Sequence, residues 1–249
     1  MKKFIVAGTQ RSGTTLVTTS LDSHPSIHCA GELFKMRRPR GEVNVMDSGY
    51  LSYLDSAMRA RLTHRLSKRF SVRAFLDEFF DRPGFEAIGF KLMINQTNPG
   101  RFPMVIDYLI ERQISVIHVF RENVVKVYLS RLVARHTSVF HIIAEPQKLS
   151  RLRIETGDLV SQLSKIETQF RQINETFQDK VPYLEVTYEE HVANPEKQAQ
   201  RLLSFLELPS VPLSSPLVKI APDDLSLTIN NMAEVEQCLH GTRYLKWLA

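Results

Sequence analysis

Cysteine is almost missing. The chain of 249 residues holds two, Cys29 and Cys238, from which neither a disulfide framework nor a zinc spacing can be built. Long apolar runs are missing as well. Lys2 and Lys3 precede "FIVAG" as in a signal peptide, but that run is too short and ends at Gln10 and Arg11. No other stretch approaches the length of a membrane span. A cytoplasmic, reducing location with no membrane span is the expectation. Internal repeats, low-complexity tracts and an interdomain linker are also lacking. One absence is local. Residues 8–15, "GTQRSGTT", nearly spell a phosphate-binding loop, yet the Gly-Lys-Ser/Thr ending of nucleotide triphosphatases is not there.

The length suits one large domain or one domain with insertions. Apolar residues make up 43% of the chain, which is ordinary for a buried core. The formal charge is +5 and the pI about 9.2. This mild excess suits an anionic ligand at least as well as nucleic acid, and no nucleic-acid recognition motif accompanies it. It is concentrated in residues 35–73. There Lys35, Arg37, Arg38, Arg40, Arg59, Arg61, Arg65, Lys68, Arg69 and Arg73 face three acids, Glu42, Asp47 and Asp55. Two readings stand for this segment. It is a solvated helical face, or it lines an acceptor site and attracts an acidic acceptor.

"KFIVAG" reads as a buried parallel strand and "SGTTLVTTSLDSH" as a helix after a glycine turn. Further strands are expected at 86–93, 114–122 and 181–191. Helices are expected at 123–136 and at 194–208, the latter with Asn194 as N-cap and Pro195 at the first position. Residues 153–178 carry Leu159, Leu163, Ile166, Phe170, Ile173 and Phe177 at helical spacing, which predicts a helix packed on the sheet. Alternating strands and helices predict a three-layer α/β/α fold around a central, mainly parallel sheet. The expected organisation is a single domain over 1–249 with a basic helical insertion at about 35–85.

Gly8 and Gly13 let the loop turn tightly and aim N–H groups at one point, and the following helix adds its positive end. Ser12, Thr14 and Thr15 add hydroxyls and Arg11 a charge. The loop is then a cradle for a phosphate-like anion, the plain alternative being a turn that only joins strand to helix. The lysine for β/γ-phosphates is missing, and the third strand ends in Arg121 rather than a magnesium-binding Asp, which counts against ATP–magnesium chemistry. Arg121 stands at a strand exit, where open α/β sheets bind ligands, and Ser130 follows on the next helix.

Together the two segments resemble the cofactor signatures of sulfotransferases that use 3′-phosphoadenosine 5′-phosphosulfate (PAPS). "RSGTTL" and "LDSHPSIHCAGE" are similar to the opening of the tyrosylprotein and bacterial carbohydrate branches, and the cytosolic aryl and steroid branch has Lys in place of Arg11. The resemblance continues in "GFKLM", in "VTYEEHVANPEKQAQRLLSFLEL" and loosely in "GTRYLKWL", so it spans most of the chain. The nine positions from Arg121 to Ser130 are one more than the family's usual spacing.

The resemblance implies roles for particular residues. The loop residues Arg11, Ser12, Gly13, Thr14 and Thr15 would hold the 5′-phosphosulfate. Arg121 and Ser130 would hold the 3′-phosphate, and Tyr188 would lie near the adenine. Glu32 would be the general base toward a hydroxyl acceptor. Lys91, a cation interrupting an apolar strand, would act near the transferring group together with Arg11. His28 and His136 are reserve bases. No metal is implied. The rival readings are a kinase of a small metabolite using ATP and a nucleotide-binding module without catalysis.

Overall fold

A computed structural model describes residues 1–35, 49–50, 53–54, 67–137, 151–217 and 225–248, the side chains of 136–137 excepted. Five strands form one sheet: β1 (Lys2–Gly8), β2 (Ile27–Glu32), β3 (Ala87–Met93), β4 (Ser115–Phe120) and β5 (Tyr183–Thr187). Their order is β2-β3-β1-β4-β5, and every pair is parallel. Parallel strands need crossovers, and the crossovers put helices on both faces, so the central strands are mostly apolar, with Lys91 and His118 as buried exceptions. β3 is buried at all seven positions, Lys91 included.

One face of the sheet carries α1 (Thr14–Asp22) and, further along the chain, a helix at Pro195–Phe205. Phe4, Val6, Ile117 and Val119 pack there against Val17, Leu21, Leu202 and Leu203. The other face carries α2 (Lys68–Phe79) and α3 (Met104–Glu111), with Phe75, Leu76, Phe79 and Leu109 against Ile5, Ile88 and Phe90. This is the expected α/β/α sandwich. α4 (Val124–Thr137) follows β4. α5 (Leu159–Phe177) buries its whole predicted stripe, but in two directions. Leu159 to Phe170 pack on α4 and the C-terminal segment, Phe170 also meeting Phe120 at the end of β4, while Ile173 and Phe177 join the core on the sheet.

Several elements differ from expectation, α3 among them, where no helix was expected. β2 runs through "IHCAGE", which was not among the expected strands. The strand expected to run on to residue 191 stops at Thr187. There Thr187 accepts from the Glu190 N–H at 3.1 Å and starts the short helix α6 (Tyr188–Ala193). α7 is then the Pro195–Phe205 helix, whose cap position is Asn194 without a side-chain cap bond, and α8 (Met232–Leu239) was not foreseen.

Much of the basic segment lies outside the described residues, including Arg37, Arg38, Arg40, Arg59, Arg61 and Arg65. Its described end is structural. Arg73 pairs with Glu111 at 2.6 Å, Arg69 with Asp107 at 3.5 Å, and Lys68 sits over the Phe102 ring. Among the described residues, no helix is long and apolar enough to cross a membrane.

Candidate active site at the strand exits

The loop between β1 and α1 lies at the carboxyl end of the central strand. Gly8 is required by space: a Cβ there would stand 2.7 Å from the Val119 carbonyl and 2.4 Å from Thr14. Gly13 is required by conformation, with φ +95°, and its Cβ position lies 2.7 Å from the Tyr188 ring. Arg11 also adopts a left-handed φ, +68°, which a non-glycine residue keeps only when its surroundings hold it there. The Ser12 hydroxyl is spent inside the loop, donating to the Thr9 carbonyl at 2.9 Å. Ser12 thus shapes the turn, whereas a donor aimed outward was expected. The first turn of α1 has no acidic residue and no side-chain cap, so its positive end is left for a ligand.

Beside this loop stands the cationic half of the site. Arg11 Nε donates to Ser130 Oγ at 2.9 Å, which ties the loop to the middle of α4. The extra residue between Arg121 and Ser130 does not separate them from the loop. Arg121 stacks over the Tyr188 ring at 4.6 Å, and that ring abuts Gly13. Burial, and next the charge of Arg121, lower the Arg11 pKa, so the two guanidiniums repel each other. Glu189 meets Arg121 from one side at 3.6 Å, and its carboxylate also accepts the Glu122 N–H at 3.1 Å. The Arg121 Nε is buried and makes no hydrogen bond. Two repelling guanidiniums, a buried Arg121 Nε whose carboxylate neighbour stands beyond hydrogen-bond reach at 3.6 Å, and an uncapped helix end are what a multiply charged anion would satisfy.

The second half lies across β1, at β2 and β3. The β2–β3 pairing shifts register between Ala30 and Glu32, so that Glu32 pairs with Lys91. A regular ladder would set Gly31 there; the bulge brings the carboxylate alongside the ammonium. Lys91 Nζ lies 3.1 Å from Glu32 Oε1 and donates to Thr15 Oγ1 at 3.2 Å. Gln96 Nε2 donates to Glu32 Oε2 at 2.9 Å, while Gln96 Oε1 accepts the Met93 N–H at 3.3 Å. That backbone bond fixes which way the amide points. Both carboxylate oxygens are therefore held, one by a cation that also touches the phosphate loop.

The structure thus gathers Arg11, Gly13, Thr15, Arg121, Ser130 and Tyr188 in one group and Glu32 with Lys91 in its neighbour, joined through Thr15. Thr14 is buried under the loop. Of the reserve histidines, His28 does not join them. His28 is four residues down β2, between the Phe79 and Phe85 rings, with Nε2 3.2 Å from Arg82. Burial, and then Arg82, lower its pKa. The His136 side chain lies outside the described residues. Gln96, Glu189 and Arg131 were missed in the sequence, since an amide after a strand or a charge on a helix has no motif of its own. Among the described residues no group of three His, Cys, Asp or Glu side chains is gathered as a metal set.

Residues 4–212 match the sulfotransferase family model. No curated protein matches the chain. Among solved structures it is similar to a sulfotransferase from Alicyclobacillus acidocaldarius at 13% identity, covering 100% of this chain and 99% of that one with a TM-score of 0.49. The sulfotransferase domain from the curacin biosynthetic pathway gives 15% identity, 100% and 89% coverage and a TM-score of 0.48. A mouse sulfotransferase complexed with PAP gives 13% identity, 99% and 74% coverage and a TM-score of 0.44. Those likenesses are distant, and the assignment rests on the family match, which runs through the loop, both halves of the site and β5: the chain belongs to the sulfotransferase family, and the activity built on this sheet is sulfuryl transfer.

Proposed function

We propose that the protein moves a sulfuryl group from PAPS to a hydroxyl of its acceptor, with Glu32 as general base, in one domain formed by the whole chain. The observation that carries this reading is the Glu32–Lys91–Thr15 chain, 3.1 and 3.2 Å long, which connects a carboxylate to an anion-holding loop. When bound, PAPS supplies a sulfuryl group activated by its phosphosulfate bond. The uncapped start of α1 and the Arg11 guanidinium would hold its 5′ end. Arg121 and the Ser130 hydroxyl would hold its 3′-phosphate, and the Tyr188 ring would lie against the adenine side.

Glu32 would take the acceptor's O–H proton, while PAPS would supply the sulfuryl group and, in adenosine 3′,5′-bisphosphate, the leaving group. Lys91 serves both ends of this transfer. While Glu32 is ionised it holds the ammonium; once protonated it releases it, and the charge on Nζ is available to the side where negative charge gathers. Gln96 keeps Glu32 in one rotamer throughout. The arrangement has no stated preference among glycan, lipid, small alcohol or phenol, and peptide tyrosine acceptors.

The test is a thermal-shift titration with adenosine 3′,5′-bisphosphate beside ATP with magnesium. A ligand bound only by the folded state raises the melting temperature. Selective stabilisation by the bisphosphate is expected. Stabilisation by ATP–magnesium alone would overturn the donor assignment in favour of a kinase.

A further inference from the structure

Ser130 and Arg131 are consecutive on α4, and each reaches a different part of the phosphate loop. Ser130 meets the Arg11 side chain. Arg131 grips the loop's backbone: its Nε donates to the Gln10 carbonyl at 3.1 Å and its Nη2 to Thr9 Oγ1 at 3.1 Å. The same Nη2 lies 3.3 Å from Gln169 Oε1, which braces the guanidinium from α5. These three partners are neutral. Burial, and next Arg135, bring the Arg131 pKa down to about 10, so the group is a desolvated cation at neutral pH. Removing a guanidinium from water to meet neutral acceptors is unfavourable on its own account. What it does provide is geometry. The Gln10 carbonyl belongs to the peptide plane that sets φ of Arg11, and that φ is the strained +68°. Directly after it come Ser12, whose hydroxyl returns to the Thr9 carbonyl, and Gly13 at φ +95°.

We infer that Arg131 is a positioning residue for the anion-holding loop, clamping the Thr9–Arg11 turn in its strained form from behind without touching the ligand. Without the clamp, the turn samples relaxed conformers in which the Arg11 side chain and the start of α1 no longer face one point. The ligand must then select the competent conformer, and its affinity falls by the fraction that conformer occupies. The inference rests on the loop's role as holder of the 5′ end.

The consequence is selective by position on the ligand. Three probes separate it by calorimetry: adenosine 3′,5′-bisphosphate, adenosine 5′-monophosphate and adenosine 3′-monophosphate. Arg131→Met keeps the stem and removes the donors. It is expected to weaken the bisphosphate and the 5′-monophosphate about tenfold and the 3′-monophosphate less than about twofold. Arg131→Lys, with the charge but no fork, should recover only part of the loss. Equal weakening of all three probes would mean general structural damage, and unchanged binding would mean that the clamp is dispensable; either overturns the inference. Full recovery with Lys would overturn it in favour of charge alone. Should Arg131→Met not fold, Thr9→Val removes one of the clamp's contacts and should show the same selectivity at about threefold. An unmodified protein that binds neither 5′ probe would instead overturn the reading of the loop, before any variant is compared.

Discussion

The two halves of the site are built on opposite electrostatic plans. On the α4 side, Arg11 and Arg121 repel each other, and the Arg121 Nε is buried without a hydrogen bond. On the β2–β3 side, Glu32 and Lys91 neutralise each other at 3.1 Å, and Gln96 holds the remaining carboxylate oxygen at 2.9 Å. The first half gathers positive charge, with Glu189 facing Arg121 at 3.6 Å. The second is finished before any ligand arrives. The proposed function, which binds a multiply charged donor and moves one proton, gives a reason for this arrangement. On the proposed reading, binding energy comes from clustered cations whose repulsion the donor offsets, whereas base catalysis needs a carboxylate whose position does not depend on the donor.

The sharpest way to break the contrast is Glu32→Gln. Loss of the base should lower turnover roughly 10²–10⁴-fold. Binding of adenosine 3′,5′-bisphosphate should hold or tighten slightly, because a negative charge near the loop is gone. Steady-state kinetics with an acceptor found by screening against PAPS, together with calorimetry, reads both. Normal turnover would remove Glu32 from the mechanism.

A second measurement guards the pH dependence of that half. His118 lies in β4 outside both groups, with Nδ1 2.7 Å from the Tyr183 hydroxyl, and burial lowers its pKa to about 4. An unfolded chain takes up a proton on this imidazole below about pH 6.5, but the folded one does so only near pH 4. Stability is therefore full above pH 6.5 and falls as the pH drops through that window, by up to about 3 kcal/mol. Denaturant titrations from pH 7.5 to 4 should show the slope, and His118→Gln should flatten it. A flat profile in the unmodified protein would contradict a neutral buried His118. Where the slope is present, acid loss of activity below pH 6.5 has to be separated from unfolding before it is assigned to the chemistry.

Arg121→Ala tests the cationic half. Losing a charge-assisted contact should weaken adenosine 3′,5′-bisphosphate by about 2 kcal/mol and leave adenosine 5′-monophosphate nearly unchanged. Equal losses on both ligands would show that Arg121 acts on the whole site and not on the 3′ end. The smallest effect is expected at Gln96→Leu. It frees one oxygen of Glu32, so turnover should fall by roughly 1 kcal/mol while bisphosphate affinity stays constant. A drop in affinity there would blur the division between the halves.

Local pattern made the first half largely legible. Strand, glycine loop and hydroxyl-rich helix are adjacent in the chain, and Arg121 ends an apolar run. The second half was only partly so. Lys91 was conspicuous as a charge inside an apolar strand, but Glu32 lies in a strand that looked like a turn, since "HPSIHCAGE" has no apolar run and carries two histidines and a proline. The helix at Tyr188–Ala193 had a signal that went unused: Thr187 followed three residues later by Glu190 is the spacing of a capping box.

Chain order and residue type were enough to specify a parallel α/β sheet, a phosphate-type loop without the triphosphatase lysine, and cations at two strand exits. Periodicity and caps act over a few residues, and those features are local. The Gln96–Glu32, Lys91–Thr15 and Arg11–Ser130 bonds span 64, 76 and 119 positions. Each depends on sheet order, on the register shift before Glu32 and on the angle at which α4 crosses the loop. Those are set by packing of the whole sandwich, and only the folded chain brings the partners within hydrogen-bond reach.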